Sequence, residues 1–179
     1  MTARSIVFAA MCVALAGCKG DTETAASPRE PEPGNLGFYC RMALSEHQGP
    51  KGQILLKGVK DPFWFSSVRD ALTYVSQDIV SEREMAGFWV NDMGQGTWEK
   101  PAPGSWIDAR TAWFVVGSKM SSGMGGGEAV PFKEKSAAAA FAHDHGGRVT
   151  DYAEARQVSQ DTDEMPASET PANREGSGT

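Results

Sequence analysis

A mixed α+β domain made of two similar halves is the fold class the sequence predicts, and three observations carry it. Four short stretches rich in aromatic and β-branched residues read as strands, each ended by glycine or polar residues. Two longer stretches read as helices. A Pro-Phe pair precedes each helix, Asp61-Pro62-Phe63 before the first and Val130-Pro131-Phe132 before the second. Each half then runs strand, Pro-Phe, helix, strand, which is the signature of an internal duplication.

In chain order, Gly52 to Leu56 is the first strand. Ser66 to Gln77 is the first helix, with Ser66 or Ser67 able to cap its N-terminus and Val68, Leu72 and Val75 at three- and four-residue spacing. Gly87 to Asn91 (GFWVN) and Ala112 to Val116 (AWFVV) are the next strands. Ser136 to His145 (SAAAAFAHDH) is the second helix, stopped by Gly146-Gly147, and Arg148 to Tyr152 is the last strand. Asn91 to Gly96 (NDMGQG) reads as a turn that includes Met93. Trp98, Trp106 and Trp113 read as core or groove-lining residues. The folded unit is expected over 36–150, with halves of about 36–92 and 105–150.

The ends read differently. Arg4 gives Met1 to Ser5 one positive charge, and the apolar run Ile6 to Ala16 leads to Leu15-Ala16-Gly17-Cys18. That run is too short for a stable membrane span and ends in a small-residue cleavage site, so residues 1–17 are expected to be a secretory signal. The tetrapeptide resembles a bacterial lipobox, which implies that Cys18 becomes the lipidated first residue of the mature chain. Residues 18–35, with Pro, Thr and Glu and no large aliphatic residue until Leu36, are expected to be a flexible tether. Residues 151–179 carry seven acids against two arginines and are expected to be a disordered acidic tail. The formal charge of −6 offers no basic face for nucleic acid.

The chain has three cysteines. With Cys12 removed in the signal and Cys18 acylated, Cys40 has no intramolecular partner, and an idle thiol in an oxidising compartment calls for another explanation. If Cys40 and Met42 lie in an extended segment they project to one side, with Arg41 pointing away, and thiolate plus thioether is the soft pair that selects Cu(I). The same residues also suit a small buried hydrophobe and a core gap-filler. A second methionine-bearing stretch, Lys119 to Phe132, sets Met120 and Met124 among glycines and serines, either wrapping a small ligand or forming an ordinary surface loop. His47 reads as an auxiliary donor or a structural histidine, and with Glu46 it could serve a harder ion. His143 and His145 suit a helix C-terminus. The sequence has no HExxH, CxxC or phosphate loop.

GFYCRMALSEHQGPKGQILLKG, DPFWFSSVRDAL, FWVNDMG, PGSWIDARTAWFVVGS, GMGGGEAVPF and HGGRV, in that order, resemble the NosL family of copper-binding accessory lipoproteins of nitrous oxide reductase assembly. The resemblance spans about Phe38 to Val149. It implies two tandem ββαβ units, similar to an organomercurial lyase domain. It implies a non-enzymatic Cu(I) metallochaperone, with Cys40 and Met42 as the Cys-X-Met ligands and Met124 as the ligand of the Gly-rich loop. It implies a periplasm-facing chain anchored through Cys18, with the reductase and its copper-site assembly proteins as partners. Lys19, in place of the Asp associated with inner-membrane retention, points to the outer membrane. The competing readings are a thiol enzyme acting on organometal compounds and a metal-free docking lipoprotein.

Overall fold

The computed structural model describes residues 26–77, 80–123 and 125–161. The signal, Cys18, Met124 and residues 162–179 lie outside the described residues.

Two ββαβ units form the fold. The first comprises β1 (Gly52–Leu56), β2 (Phe63–Phe65), α1 (Val68–Ser76) and β3 (Met85–Asn91). After a short strand β4 (Trp106–Asp108), the second comprises β5 (Trp113–Val116), β6 (Val130–Phe132), α2 (Lys135–His145) and β7 (Arg148–Thr150). All strand pairs are antiparallel, in orders β2-β1-β3-β4 and β6-β5-β7. The duplicated Pro-Phe has a structural cause: each pair opens or occupies an edge strand, where a missing N–H leaves no ladder bond unmade. Phe63 and Phe132 are therefore strand residues.

Ser67 caps α1 by accepting from Asp70 N at 3.2 Å. The helix buries Val68, Ala71, Leu72, Tyr74 and Val75, which pack with Ile54, Phe65 and Phe88 of the first sheet. The same cluster includes Phe114, Val116 and Ala129, so the halves share one core. Burying side chains of this size contributes about 1.5–3 kcal/mol each. The NDMG turn joins the halves: Met93 N donates to Pro131 O at 2.9 Å, and Asp92 Oδ1 accepts from Gly94 N at 3.0 Å and Lys133 N at 3.1 Å.

The folded part exceeds the expected 36–150 at both ends. Gln53 is fully buried and its amide needs two partners. Arg29 supplies both: its N–H donates to Oε1 at 2.9 Å, and its carbonyl accepts from Nε2 at 2.9 Å. Glu30 Oε1 then accepts from Gly104 N and Trp106 Nε1. Thus 26–35, expected to be flexible tether, is docked on the first sheet. Likewise, the stretch expected to be tail begins with a helix, α3 (Tyr152–Val158), capped by Asp151 accepting from Glu154 N at 3.0 Å. Ala155 and Val158 enter the core, and Arg156 Nη1 donates to Glu82 at 2.8 Å.

Candidate metal centre

Cys40 sits at the tip of a tight loop, not in a strand. Leu36 bridges Ala43, Gly37 N donates to Met42 O at 2.9 Å, and Arg41 N donates to Gly37 O at 2.9 Å. Closing so small a loop puts Arg41 in the left-handed region at φ 58°, which corrects the extended geometry expected for Cys-X-Met. The loop is docked by Phe38, whose N–H donates to Trp64 O at 2.7 Å beside β2 and whose ring meets Phe63, Phe65 and Tyr74 at centroid distances of 5.2, 5.7 and 5.2 Å. Arg41 is exposed, and Met42 lies 43% exposed at the loop mouth. Cys40, half-buried, is the free cysteine of the described residues.

His47 is the residue brought to the thiol. Its Nε2 lies 3.6 Å from Cys40 Sγ, although it is only 8% exposed. Its Nδ1 lies 3.2 Å from Gly123 O of the glycine-rich loop. A carbonyl only accepts, so in the neutral imidazole Nδ1 carries the proton and Nε2 turns a lone pair toward Cys40. Ser66 Oγ completes the surroundings at 3.5 Å from Sγ. Asp70, whose carboxyl is pushed up by burial, is held back by Arg69 and by His47 nearby. Glu46 is exposed beside this pair.

Two glycines are shaped by the donors. A Cβ on Gly37 would stand 2.5 Å from Cys40 Sγ, and one on Gly123 would stand 2.6 Å from His47 Cβ and 2.8 Å from Nδ1. Nothing in the sequence assigns these glycines to the site, and Ser66 reads there only as a possible helix cap. A glycine beside a cysteine in a Gly-Phe-Tyr-Cys run was the available signal for Gly37; the long-range approach of Gly123 left none.

Surface depressions reach His47 from two sides. One of about 460 Å³ is lined by Glu30, Leu44, Lys51, Asn91, Pro101 and Trp106; another of about 570 Å³ is lined by Glu46, Trp98, Lys119, Met120 and Gly123. Trp98 and Trp106 are thus groove-lining, and Met120 places a thioether-bearing residue on the depression that His47 borders. Among the described residues no group of three or more His, Cys, Asp or Glu could hold a metal ion. The available chemistry is therefore one thiol and one imidazole, supplemented by thioethers, a soft to borderline set suited to Cu(I) or another thiophilic d¹⁰ ion. His143 and His145 lie in the last turn of α2; His143 Nδ1 meets Asp144 at 2.9 Å, and His145 stacks on Phe141 at 4.3 Å. No helix of the described residues is long and apolar enough to cross a membrane.

A family model described as NosL matches residues 28–160. "Copper-binding lipoprotein NosL" from Achromobacter cycloclastes is 43% identical over 148 residues, covering 82% of this chain and 76% of that protein. A relative of the same name from Stutzerimonas stutzeri is 35% identical over 166 residues, 87% and 81% of the respective chains. The crystal structure of the copper chaperone NosL from Shewanella denitrificans superposes with a TM-score of 0.67 at 30% identity, over 72% of this chain and 94% of that one.

Proposed function

The chain belongs to the NosL family, and on that footing we propose that it is a lipid-anchored, periplasm-facing Cu(I) carrier that supplies copper for maturation of nitrous oxide reductase. The relatives' names support copper and a lipoprotein. The observation that carries the site is the 3.6 Å approach of Cys40 Sγ and His47 Nε2, with the tautomer set by Gly123. With metal–ligand distances of about 2.3 Å to sulfur and about 2.0 Å to nitrogen, that separation subtends about 110° at a shared ion. Both donors thus reach one cation without rearrangement.

Cys40 acts as thiolate and His47 as imidazole donor, a larger part than the auxiliary one given to it above. Met42 at the loop mouth supplies a thioether, and Met124, expected as a ligand but outside the described residues, supplies another. Cu(I) accepts two to four soft ligands and moves by ligand exchange, so an acceptor displaces the exposed thioether before the thiolate leaves. Cys18 holds the chain at the membrane, the outer one on the Lys19 argument, and the reductase with its copper-site assembly proteins receives the ion.

Anaerobic competition of the full-length lipidated chain in detergent against a chromogenic Cu(I) chelator tests the reading. Cys40→Ser is expected to lower affinity at least about 100-fold, as loss of the only thiolate among the described donors requires; parent-like affinity in that variant would refute it. One observation favours a thiol enzyme, since Cys40, His47 and the Gly123 carbonyl are arranged as nucleophile, base and orienter. Protonolysis of an organometal bond calls for a second thiolate, and turnover of an organomercurial by the purified chain would overturn the non-enzymatic assignment.

A further inference from the structure

Glu128 stands in the loop of glycines and serines between β5 and β6, yet it is fully buried. A buried carboxyl is costly unless its oxygens are used. Here Oε1 accepts from Arg69 N at 2.8 Å, Ala129 N at 2.9 Å and Ser67 Oγ at 3.4 Å, while Oε2 has no partner. Ser67 is the N-cap of α1, and the Arg69 N–H is one of the donors that a helix leaves unsatisfied in its first turn. A side chain from the second half therefore closes the N-terminus of the first half's helix. Burial pushes its carboxyl up to about 8, with opposing stabilisation from those N–H groups and from Lys51.

What Glu128 anchors is a self-bonded hairpin. Glu128 N donates to Met120 O at 3.2 Å, Ser121 bridges Gly127, and Ser122 N donates to Gly126 O at 2.9 Å. Gly125 N and Ser122 Oγ close the tip with further bonds to Ser122 O and Gly125 O. Gly123, whose carbonyl holds His47, lies inside that hairpin. At the other end of the clamp, Ser66 precedes the capping Ser67 and touches Cys40. Glu128 thus ties together the backbone that orients the imidazole and the helix start beside the thiol.

We infer that Glu128 is a positioning residue of the metal centre, clamping the paired 120–123 and 125–128 backbone to the first turn of α1 so that the Gly123 carbonyl holds His47 Nε2 toward Cys40. The inference rests on the carrier reading for its copper readout but not for its first test, which is metal-free. In ¹⁵N spectra of the apo chain, the parent and Glu128→Gln, which keeps an acceptor for Arg69 and Ala129, should show His47 with the proton on Nδ1. Glu128→Ala should show a mixture of tautomers. In the anaerobic competition, Glu128→Ala should lower Cu(I) affinity by about 10- to 100-fold, the range for an orienting partner of a metal ligand. Glu128→Gln should stay within about 3-fold of the parent, as rescue by a near-isostere that still supplies the acceptor.

The double-mutant cycle then separates positioning from general destabilisation: in a His47→Ala background, Glu128→Ala should change affinity by less than about 2-fold, because the route through His47 is gone. If Glu128→Ala does not fold, Glu128→Asp, which keeps the carboxyl but shortens the reach, is read by the same criteria. A parent-like tautomer in the folded variant overturns the inference, as does an equal loss of affinity with and without His47. Absence of Cu(I) binding by the parent refutes the carrier reading instead, and leaves the tautomer comparison to decide the positioning role.

Discussion

Gly37→Ala is the sharpest small perturbation of the thiol. Gly37 is not in the left-handed region, so alanine meets no backbone strain there, and its loss of unfolded-state freedom favours folding by about 0.4–1 kcal/mol. The new Cβ, however, falls 2.5 Å from Cys40 Sγ, with Ser66 Oγ and Cβ at 3.3 and 3.5 Å. Ordinary contact returns only if the sulfur retreats by about 1 Å, and overpacking of this kind costs about 1–3 kcal/mol. Moved directly away from His47, Sγ would lie about 4.6 Å from Nε2, beyond the roughly 4.3 Å that two ligand bonds can bridge.

The expected result is a 10- to 100-fold loss of Cu(I) affinity, about 1.4–2.8 kcal/mol, with a Tm lowered by about 2–6 °C. Chelator competition reads the first and calorimetry the second. The control is Cys40→Ala: without the sulfur, the remaining contacts are near normal, and Gly37→Ala should cost almost nothing. Parent-like affinity and Tm in Gly37→Ala would refute the geometry, as would an unchanged thermal cost in the Cys40→Ala background.

The buried pair of titrating groups makes stability depend on pH. Burial raises Glu128 from 4.5 to about 8, so the folded chain keeps a proton that the unfolded chain releases and stability falls as pH rises between those values. Burial lowers Lys51 from 10.5 to about 8, so above about 8 the unfolded chain holds the extra proton and stability climbs again toward 10.5. Urea unfolding across pH 5.5–9.5 should show this pair's contribution passing through a minimum near 8, and Glu128→Gln should flatten the acid-side limb; identical profiles would refute the assignment. Val158→Asp buries an unpaired charge where α3 meets the core and should cost about 4 kcal/mol or more by urea unfolding, whereas a disordered tail would tolerate it. Gln53→Leu removes both bonds to Arg29 and should make 26–35 protease-sensitive while lowering stability by only about 1–2 kcal/mol.

Much of the fold was legible because its signals are local. The first strand's bounds, Gly52–Leu56, coincide with the expected ones, and α1 follows from Ser67 and the spacing of Val68, Leu72 and Val75. Strands β2, β4 and β6 are three residues each and exist through their partners, so no period could reveal them. Helix α3 did have a signal, Asp151 three residues before Glu154, outweighed by the acidic composition that follows. At the site, Cys40 and His47 are seven residues apart and could be suspected of meeting, but their approach depends on Arg41 turning left-handed, which an extended reading hides. The Gly123 carbonyl comes from 76 residues away, and only the shared core brings it there.

That distance gives the duplication a chemical meaning. The first half supplies the thiol, its neighbouring methionine and the imidazole, all on the 37–47 segment; the second half supplies the carbonyl that orients the imidazole and, through Glu128, the cap on α1. The imidazole is thereby 8% exposed and held by two elements, while Met42 is 43% exposed at the loop mouth. A site equally buried on every side would retain copper, and one equally open would lose it to any thiol. In the carrier reading, the graded exposure orders the exchange: the thioether yields first, the half-buried thiolate next, and the fixed imidazole keeps the vacated geometry for the next ion.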